Sequence, residues 1–491
     1  MQTNFHSIIF NMGALGQYIK GRTSGSYRIA TELRTAGWDV EVVDFFYFWT
    51  LEELKTLSRN RINKNTKFIG FSHIFSDWPQ LAEDFSSWIK ETYPDIKIIF
   101  GCNAYKNFNT KNIDYYIAGY GELAITTLLA YLFSNGPRPI MTPIDGNKVI
   151  EAQKYYAATP WREPNIFYED RDFIQPHEWL GIEFSRGCKF KCAYCNFPVL
   201  GVRGDYGRNL DGARQQLQEA YDRFGVTKYL ISDETFNDST EKITKIADMV
   251  ETLDFQPFFA SHIRADLLIS RPREREELLR MNTLFHFYGI ESFNYESARV
   301  CGKGMKSEKL KQGVVDLKNF FKTHGTGRYR GTIGLIAGLP YESEESVIDT
   351  ITFLQEHWKG ENVMLNPLDI YKASIANVSI FEEKFDEFGY KVMTEMPEEY
   401  REGGKNLAMG PRFTPNSVIW ENEHTNYYKI REIVHDLRST FKDHFRLACF
   451  ELSNDFSNQG LDHSLTIGYS TFGGEYQTAF VENYKKKKLG L

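Results

Sequence analysis

Strand and helix signals alternate along most of this 491-residue chain, in two separate blocks. The first block has short apolar runs and helical patterns in turn, at 7–10, 26–36, 40–44, 68–72, 79–92 and 96–100. Such alternation favours a parallel sheet with helices on both faces. We therefore predict an α/β protein whose first domain, residues 1–135, is a doubly wound parallel sheet. Ligands of such sheets bind at the loops after the strands, here 11–25, 73–78 and 101–106.

The second block predicts a partial (βα)6 barrel over residues 179–375. Its strand signals lie at 180–185, 228–232, 257–261, 284–290, 330–336 and 363–368, and its helical patterns at 209–224, 239–252, 272–280, 307–324 and 344–357. Parallel barrels carry their functional residues at the carboxyl ends of the strands. The loops that follow these strands are therefore the expected location of a site.

The two remaining segments have weaker signals. Residues 136–178 contain six prolines, which disfavour regular structure, and we predict a linker there. Residues 376–491 predict a mainly helical extension, with a clear pattern at 426–441, that either shapes a substrate entrance or caps the barrel mouth. The lysine run 485–488 predicts a solvated chain end.

Three cysteines follow the first predicted barrel strand in a CxxxCxxC pattern, namely Cys188, Cys192 and Cys195. Structural zinc sites use four protein ligands, and the nearest histidines, His177 and His262, do not lie at finger-like spacing. A redox dithiol needs only Cys192 and Cys195, which leaves Cys188 unexplained. The spacing favours an iron-sulfur cluster with one iron open to a small molecule, while zinc and dithiol alternatives remain.

Composition narrows the class of protein. The chain has six cysteines, and the three outside the cluster are scattered, so a disulfide framework is not indicated and a reducing, cytoplasmic compartment is expected. We find neither a signal peptide nor an apolar stretch long enough to span a bilayer, and therefore expect no membrane partner. The formal net charge of -7 gives no general indication of nucleic-acid binding.

The run from Glu183 to Asn196, with Tyr194 directly before the third cysteine, resembles the signature of radical S-adenosylmethionine (radical SAM) enzymes. The resemblance implies a [4Fe-4S] cluster ligated by the three cysteines, whose open iron binds the amino and carboxylate groups of SAM. It assigns those cysteines a catalytic and metal-binding role. It also places Tyr194 in the cofactor site.

Motifs after the later barrel strands extend this resemblance. Asp233 and Glu234 stand where the family has an acidic element that contacts the SAM amino group, and which of the two does so is open. Arg264 suits the SAM carboxylate, and Glu291 lies in a Gly-x-Glu-Ser sequence of the family. Gly338 resembles the motif on the adenine side, where a glycine allows close approach of a flat ring. These residues are the implied SAM pocket.

The segment Asp114–Ala124 resembles the Gly-Glu-Gly-Glu element that ends the cobalamin-binding-like domain of some radical SAM enzymes. However, the loop Asn11–Gly16 has no cobalt-ligating histidine of the DxHxxG type. His73, at the end of a predicted strand, is a further candidate ligand. The resemblance therefore implies the fold of this domain and leaves cobalamin binding open.

The implied activity is reductive cleavage of SAM to an adenosyl radical that modifies an unactivated carbon of a small-molecule or peptide substrate. Cobalamin-dependent methyl transfer is one outcome, and a cobalamin-independent rearrangement or cyclisation is the alternative. A non-catalytic iron-sulfur sensor or electron carrier is a further reading. A reductant such as flavodoxin or ferredoxin is implied as partner. The sequence does not name the substrate.

Overall fold

The computed structural model describes two parallel sheets, one after the other along the chain. The described residues are 5–12, 22–73, 78–102, 105, 107–152, 163, 165–195, 206–325, 327–371, 379–395, 417–440 and 471–491. None of the helices described in these ranges is long and apolar enough to cross a membrane.

The N-terminal sheet has seven strands in the order β2-β1-β3-β4-β5-β7-β6. The strands are β1 His6–Asn11, β2 Asp39–Val43, β3 Thr66–His73, β4 Lys97–Cys102, β5 Tyr115–Ala118, β6 Thr142–Ile144 and β7 Asn147–Glu151. The helices are α1 Ser24–Thr35, α2 Leu51–Arg61, α3 Gln80–Thr92 and α4 Glu122–Phe133. All strand pairs are parallel except β6 with β7.

Side chains of successive β1 residues enter different cores, as strand geometry requires. Ile9 packs in the core that also contains Tyr27 and Leu33 of α1, whereas Ile8 and Phe10 pack in the core formed with α2 and α3. Helices therefore cover both faces of the sheet, and the predicted doubly wound fold is confirmed.

The segment 136–178 differs from its prediction as an irregular linker, because β6 and β7 form a hairpin that extends the N-terminal sheet. Asp145 and Gly146 both have positive φ at the turn, as a tight hairpin needs. Pro143 is tolerated because β6 is the edge strand, where a missing N–H breaks no ladder. The predicted domain boundaries themselves stay predictions.

The second sheet has six parallel strands whose spatial order follows the chain. They are β8 Trp179–Ile182, β11 Lys228–Ile231, β12 Phe258–Ile263, β13 Thr283–Glu291, β14 Arg330–Ala337 and β15 Asn362–Pro367, with the small pair β9 Ser185–Arg186 and β10 Tyr206–Gly207 above β8. The helices are α5 Leu210–Phe224, α6 Thr240–Val250, α7 Ala265–Ser270, α8 Arg273–Arg280, α9 Tyr295–Val300, α10 Ser307–His324 and α11 Glu344–His357. This arrangement confirms the partial barrel and brings the carboxyl ends of its strands together.

The elements after β15 and before the last helix lie beside the barrel. They are the two-residue strands β16 Ile370–Tyr371, β17 Lys391–Val392, β18 Ser417–Val418 and β19 Trp420–Glu421, and the helices α12 Ile380–Glu383 and α13 Tyr427–Thr440. The last helix is α14 Thr471–Leu489. Short 3-10 helices occur at Phe46–Phe48, Asp170–Asp172 and Phe385–Phe388. The predicted helix at 426–441 corresponds to α13.

The last helix, α14, packs on the N-terminal domain, so the predicted solvated lysine tail is wrong for two of its four lysines. Lys488 is buried and its Nζ lies 3.0 Å from Glu41 Oε1. Lys485 is also buried, with its Nζ 2.9 Å from Glu53 Oε1. These carboxylates compensate the cost of removing two ammonium groups from water.

Candidate active site

The cysteine loop begins directly after β9, at the carboxyl end of the first barrel strand. Cys188, Cys192 and Cys195 are all partly exposed, and none of them forms a disulfide. Gly187 has a φ of 92°, a conformation that favours glycine, and its N–H donates to Glu234 Oε2 at 2.9 Å. Cys188 Sγ lies 3.2 Å from Thr235 Oγ1. The loop after β11 therefore fixes the start of the cysteine loop.

The underside of the cysteine loop is held by two distant segments. The N–H of Ala193 donates to the carbonyl of Cys301 at 3.3 Å, and the N–H of Phe381 donates to the carbonyl of Ala193 at 3.0 Å. Gly302 has a φ of 86°, and a Cβ at this position would lie 3.3 Å from Cys192 Cα. A side chain at Gly302 would thus press on the loop that carries the thiols.

Arg264 is placed beside the second cysteine by the end of β12. Its Nη1 lies 3.6 Å from Cys192 Sγ, and its Nη2 donates to Asp266 Oδ2 at 2.7 Å. The guanidinium also stacks on Phe190, 4.0 Å from the ring centroid. Arg264 is thus fixed beside the cysteine loop by an ion pair and an aromatic ring.

Glu291, at the carboxyl end of β13, is the centre of a second group of contacts. Its Oε1 accepts from the Tyr194 hydroxyl at 2.8 Å and from Lys303 Nζ at 2.9 Å. Glu291 has a φ of 66°, and the pairing register of β13 with β14 shifts between Gly289 and Glu291. A non-glycine residue in this conformation is strained, and such strain is concentrated at functional sites.

His262 lies nearby on β12, with its ring edge-on to Phe287 at 5.1 Å between centroids. Burial lowers the pKa of His262 to about 4, although the charge of Glu291 opposes the shift. The imidazole is therefore neutral at physiological pH. The sequence pattern alone did not place His262 in this site.

The two acids after β11 have different environments. Asp233 is buried, and its two oxygens accept from the Phe184 N–H at 2.7 Å and the Ser185 hydroxyl at 2.6 Å, which ties β11 to β8. Glu234 is half-buried. Burial raises the pKa of Glu234 to about 7, against the backbone hydrogen bonds that lower it. Glu234 is thus the more accessible acid, and its contact with SAM stays a prediction.

Gly338 has a φ of 92° and lies against the indole ring of Trp420. A Cβ on Gly338 would lie 2.7 Å from the indole of Trp420. The Tyr390 hydroxyl donates to the carbonyl of Gly338 at 2.8 Å. Glu342 accepts the Gly338 N–H at 3.0 Å, and burial raises the pKa of Glu342 to about 7. The sequence did not predict the contacts of Gly338 with Trp420 and Tyr390. The expected position of Gly338 beside adenine stays a prediction.

These contacts bring most of the predicted site residues together around the cysteine loop. Cys192 meets Arg264, Tyr194 meets Glu291, and Glu234 holds Gly187 next to Cys188. Among the described residues, no three His, Cys, Asp or Glu side chains converge closely enough to hold one metal ion. The zinc alternative, which needs such convergence, gains no support. The thiols of a cluster bind different iron atoms and need not meet at one point.

The carboxyl edge of the N-terminal sheet is described only in part, since residues 13–21, 74–77, 103–104 and 106 of its loops lie outside the described ranges. Asn11 Nδ2 donates to Asp44 Oδ1 at 2.8 Å, and the Thr23 hydroxyl donates to Asn11 Oδ1 at 2.6 Å. His73 is only 3% exposed, edge-on to Tyr47 at 6.0 Å between centroids.

Comparison with known proteins gives a family match over the barrel. Residues 182–354 match the radical SAM superfamily. An uncharacterized methyltransferase of Pyrococcus horikoshii is 22% identical over 172 residues, which make up 35% of this chain and 36% of that relative. The chain therefore matches about a third of the length of this curated relative.

Solved structures extend the similarity beyond the barrel. The radical S-adenosylmethionine methyltransferase TsrM from Kitasatospora setae, with cobalamin and a [4Fe-4S] cluster bound, has a TM-score of 0.64 at 12% identity over 99% of both chains. TsrM with tryptophan substrate and a SAM analog has a TM-score of 0.60 at 13% identity, over 80% of this chain and 79% of TsrM. The cobalamin-dependent enzyme OxsB has a TM-score of 0.53 at 15% identity, over 79% of this chain and 55% of OxsB. Residues 182–354 are therefore a radical SAM domain, and the overall fold of the chain is similar to that of TsrM and OxsB.

Proposed function

We propose that the protein is a radical SAM methyltransferase that acts on an unactivated carbon of a small-molecule substrate. The observation that carries the proposal is the set of contacts between the cysteine loop and the carboxyl ends of β11, β12 and β13. The fold shared with TsrM over nearly the whole chain supports the methyltransferase reading. The substrate class follows from TsrM, whose structure holds tryptophan as substrate.

The donor set suits a cluster and SAM. Three partly exposed thiols are available for iron. Glu234 and Glu291 supply carboxylates for an ammonium group, while Arg264 supplies a guanidinium for a carboxylate. A cluster held by these thiols would supply one electron for cleavage of the SAM sulfonium, and a corrinoid would supply a carrier for the methyl group.

The contacts of this site fix the orientation of its functional side chains. Lys303 also donates to the carbonyl of Gly289 at 2.5 Å, so its ammonium is fixed between the β13 backbone and Glu291. Together with the Tyr194 hydroxyl it holds the Glu291 side chain in one orientation. The backbone hydrogen bond from Phe381 to Ala193 fixes the cysteine loop between its second and third thiols.

Cobalamin at the N-terminal sheet is the less supported part of the proposal. The loops at 11–25, 71–76 and 101–106 would hold it, and the first loop offers no histidine as a ligand for cobalt. The absence of a DxHxxG histidine favours the second candidate, a cobalamin-independent rearrangement or cyclisation. A flavodoxin or ferredoxin as reductant and a cytoplasmic location complete the proposal.

The test uses anaerobically reconstituted protein with SAM carrying a deuterated methyl group, a chemical reductant, hydroxocobalamin and tryptophan as probe substrate. Methyl transfer predicts S-adenosylhomocysteine, transfer of deuterium to cobalamin, and cobalt retained in stoichiometric amount after desalting. Formation of 5′-deoxyadenosine without cobalt binding would favour the cobalamin-independent candidate. Absence of any SAM cleavage by cluster-loaded protein would contradict both enzyme readings and leave a sensor or electron carrier.

We expect Glu291→Gln to weaken SAM binding and leave the cluster in place. The substitution removes the charge that Lys303 and Tyr194 stabilise, and losing one charge-assisted hydrogen bond weakens affinity roughly ten- to a hundredfold. Calorimetric titration of reconstituted protein with SAM, together with iron analysis, measures both effects. Glu296→Gln is the matched control, because Glu296 is exposed and pairs only on the surface with Arg299. Equal SAM affinity for Glu291→Gln and wild type would exclude Glu291 from the pocket.

A further inference from the structure

One motif of the N-terminal domain has no part in the proposed function as described so far. It is Gly119-Tyr-Gly-Glu122, the element after β5 that resembles Gly-Glu-Gly-Glu. Glu122 is the first residue of α4 and is buried. Its carboxylate meets Arg186 of the second block, which lies two residues before Cys188.

Arg186 is enclosed by groups from two domains. Its Nη2 donates to Glu122 Oε1 at 2.8 Å, and its Nε donates to Glu183 Oε1 at 2.7 Å. The guanidinium stacks on Tyr120, 4.1 Å from the ring centroid. The side chain of Arg186 is only 1% exposed. A planar guanidinium held by two carboxylates and a ring has its orientation fixed.

Arg28 of α1 completes the arrangement. Its Nη2 lies 2.7 Å from Glu122 Oε1, and its Nη1 contacts Glu183. Burial alone would raise the pKa of Glu122, but the guanidinium groups of Arg186 and Arg28 outweigh it and hold that pKa well below its usual range. Two buried arginines and two buried glutamates therefore balance in charge. We call Arg28, Tyr120, Glu122, Glu183 and Arg186 the arginine socket.

Such a cluster is poorly explained as a source of stability. Buried ion pairs are often no more stabilising than apolar residues of the same volume, because four charges must be removed from water. What they can provide is a specific geometry, since a wrong arrangement leaves a charge buried and unpaired. The socket is therefore better explained as an arrangement that fixes the positions of its residues than as a source of stability.

The position it fixes is that of the first cluster cysteine. Only Gly187 separates Arg186 from Cys188, and the N–H of Gly187 is held by Glu234. A shift of Arg186 is therefore transmitted to the thiol within two residues. Glu122 lies at the carboxyl end of β5, on the edge of the N-terminal sheet where a corrinoid is proposed.

We propose that the arginine socket positions the cysteine loop relative to the N-terminal domain, with Arg186 and Glu122 as positioning residues for the cluster. The proposal rests on the proposed function, because it assumes a cluster on Cys188. It goes further by giving the Gly-Tyr-Gly-Glu element a task that does not depend on cobalamin. The same element would set the distance between the two cofactors where both are bound.

The test compares Arg186→Gln, Glu122→Gln and Arg186→Lys in the full-length chain. Hydrogen exchange of residues 183–195 is measured in protein without iron. The spectrum and midpoint potential of the reduced cluster are measured after reconstitution. Arg280→Gln is the control, because Arg280 forms surface ion pairs with Glu251 and Asp248 at 2.8 Å and lies outside the site.

We expect Arg186→Gln and Glu122→Gln to speed exchange of the cysteine loop by at least about tenfold, and to alter both the cluster spectrum and its potential. Arg186→Lys should restore part of the exchange protection but not the spectrum, because an ammonium cannot reproduce the fork of hydrogen bonds. Tyr120→Leu, which leaves no charge unpaired, gives a smaller change of the same kind if the other variants fail to fold.

Unchanged loop exchange, spectrum and potential in these variants would overturn the proposal. A uniform rise in exchange over the whole chain with an unaltered cluster spectrum would also overturn it, because the socket would then only stabilise the fold. If wild-type protein forms no cluster, the proposed function fails. Local exchange in the iron-free protein then still decides whether the socket positions the loop.

Discussion

Cys192→Ala should lose the iron-sulfur cluster and all reductive cleavage of SAM. Each of the three thiolates is expected to bind a different iron, and the other described cysteines, Cys102 and Cys301, are buried away from solvent. Cys301 lies beside the cysteine loop, but burial holds the pKa of its thiol well above the usual range, so neither of these two thiols readily supplies a thiolate to replace the missing ligand. Iron and sulfide analysis after anaerobic reconstitution, with the visible spectrum and 5′-deoxyadenosine formation, measures the loss.

Cys102→Ala is the matched control for this prediction. It removes a thiol from the N-terminal sheet and should keep iron, spectrum and SAM cleavage at the level of wild type. The same full loss is expected for Cys188→Ala and Cys195→Ala. A Cys192→Ala protein with the iron content and spectrum of wild type would contradict the ligand assignment.

Lys488→Ala should strongly destabilise the protein, although it removes a residue from a run of four lysines near the chain end. The Lys488 side chain is 0% exposed, and its ammonium pairs with Glu41, which is 5% exposed. Its Nζ also donates to the carbonyl of Val42 at 2.8 Å. Without Lys488 the buried Glu41 keeps only the more distant and exposed Arg61, whose Nε lies 3.5 Å away, so we expect a cost of up to about 3–5 kcal/mol in the free energy of unfolding.

Urea unfolding followed by circular dichroism measures this effect, with Lys486→Ala as control. Lys486 lies on the same helix but is exposed, so its replacement should leave the unfolding midpoint unchanged within error. The pair of variants separates burial from loss of positive charge. Equal midpoints for Lys488→Ala and Lys486→Ala would show that α14 does not pack on the sheet.

The alternating part of the fold could be predicted because its signals are local. The helices at 307–324 and 344–357 have their predicted bounds, since each combines an apolar stripe with clear ends, such as the Ser343 cap of α11. In contrast, the hairpin at 142–151 was missed because its prolines outweighed the Asp145-Gly146 turn signal. The Asp145-Gly146 dipeptide, given more weight than the prolines, predicts the hairpin.

The candidate site likewise has residues that the sequence predicts and residues that it does not. The position of Arg264 and Glu291 followed from the rule that strand ends meet, and both do contact residues of the cysteine loop. The role of Trp420 beside Gly338 could not be predicted, because these residues are distant in sequence and no local pattern links them. Lys488 and Glu41 are 447 residues apart, so the lysine run looks solvated when examined alone.

The packing of α14 on the first sheet has a consequence for synthesis of the chain. Residues of β2 leave the ribosome early, and Asp44 and Glu41 can pair with Arg22 and Arg61 as soon as α2 has been made. The contacts of Lys488 with Glu41 and of Tyr484 with the Asp44 N–H form only after α14 has followed. Until then the edge strand of the N-terminal sheet lacks these contacts and stays open to water or to chaperones. The barrel, whose strands pair in chain order, has no such delay. The N-terminal domain is therefore completed only after the barrel that follows it in the chain.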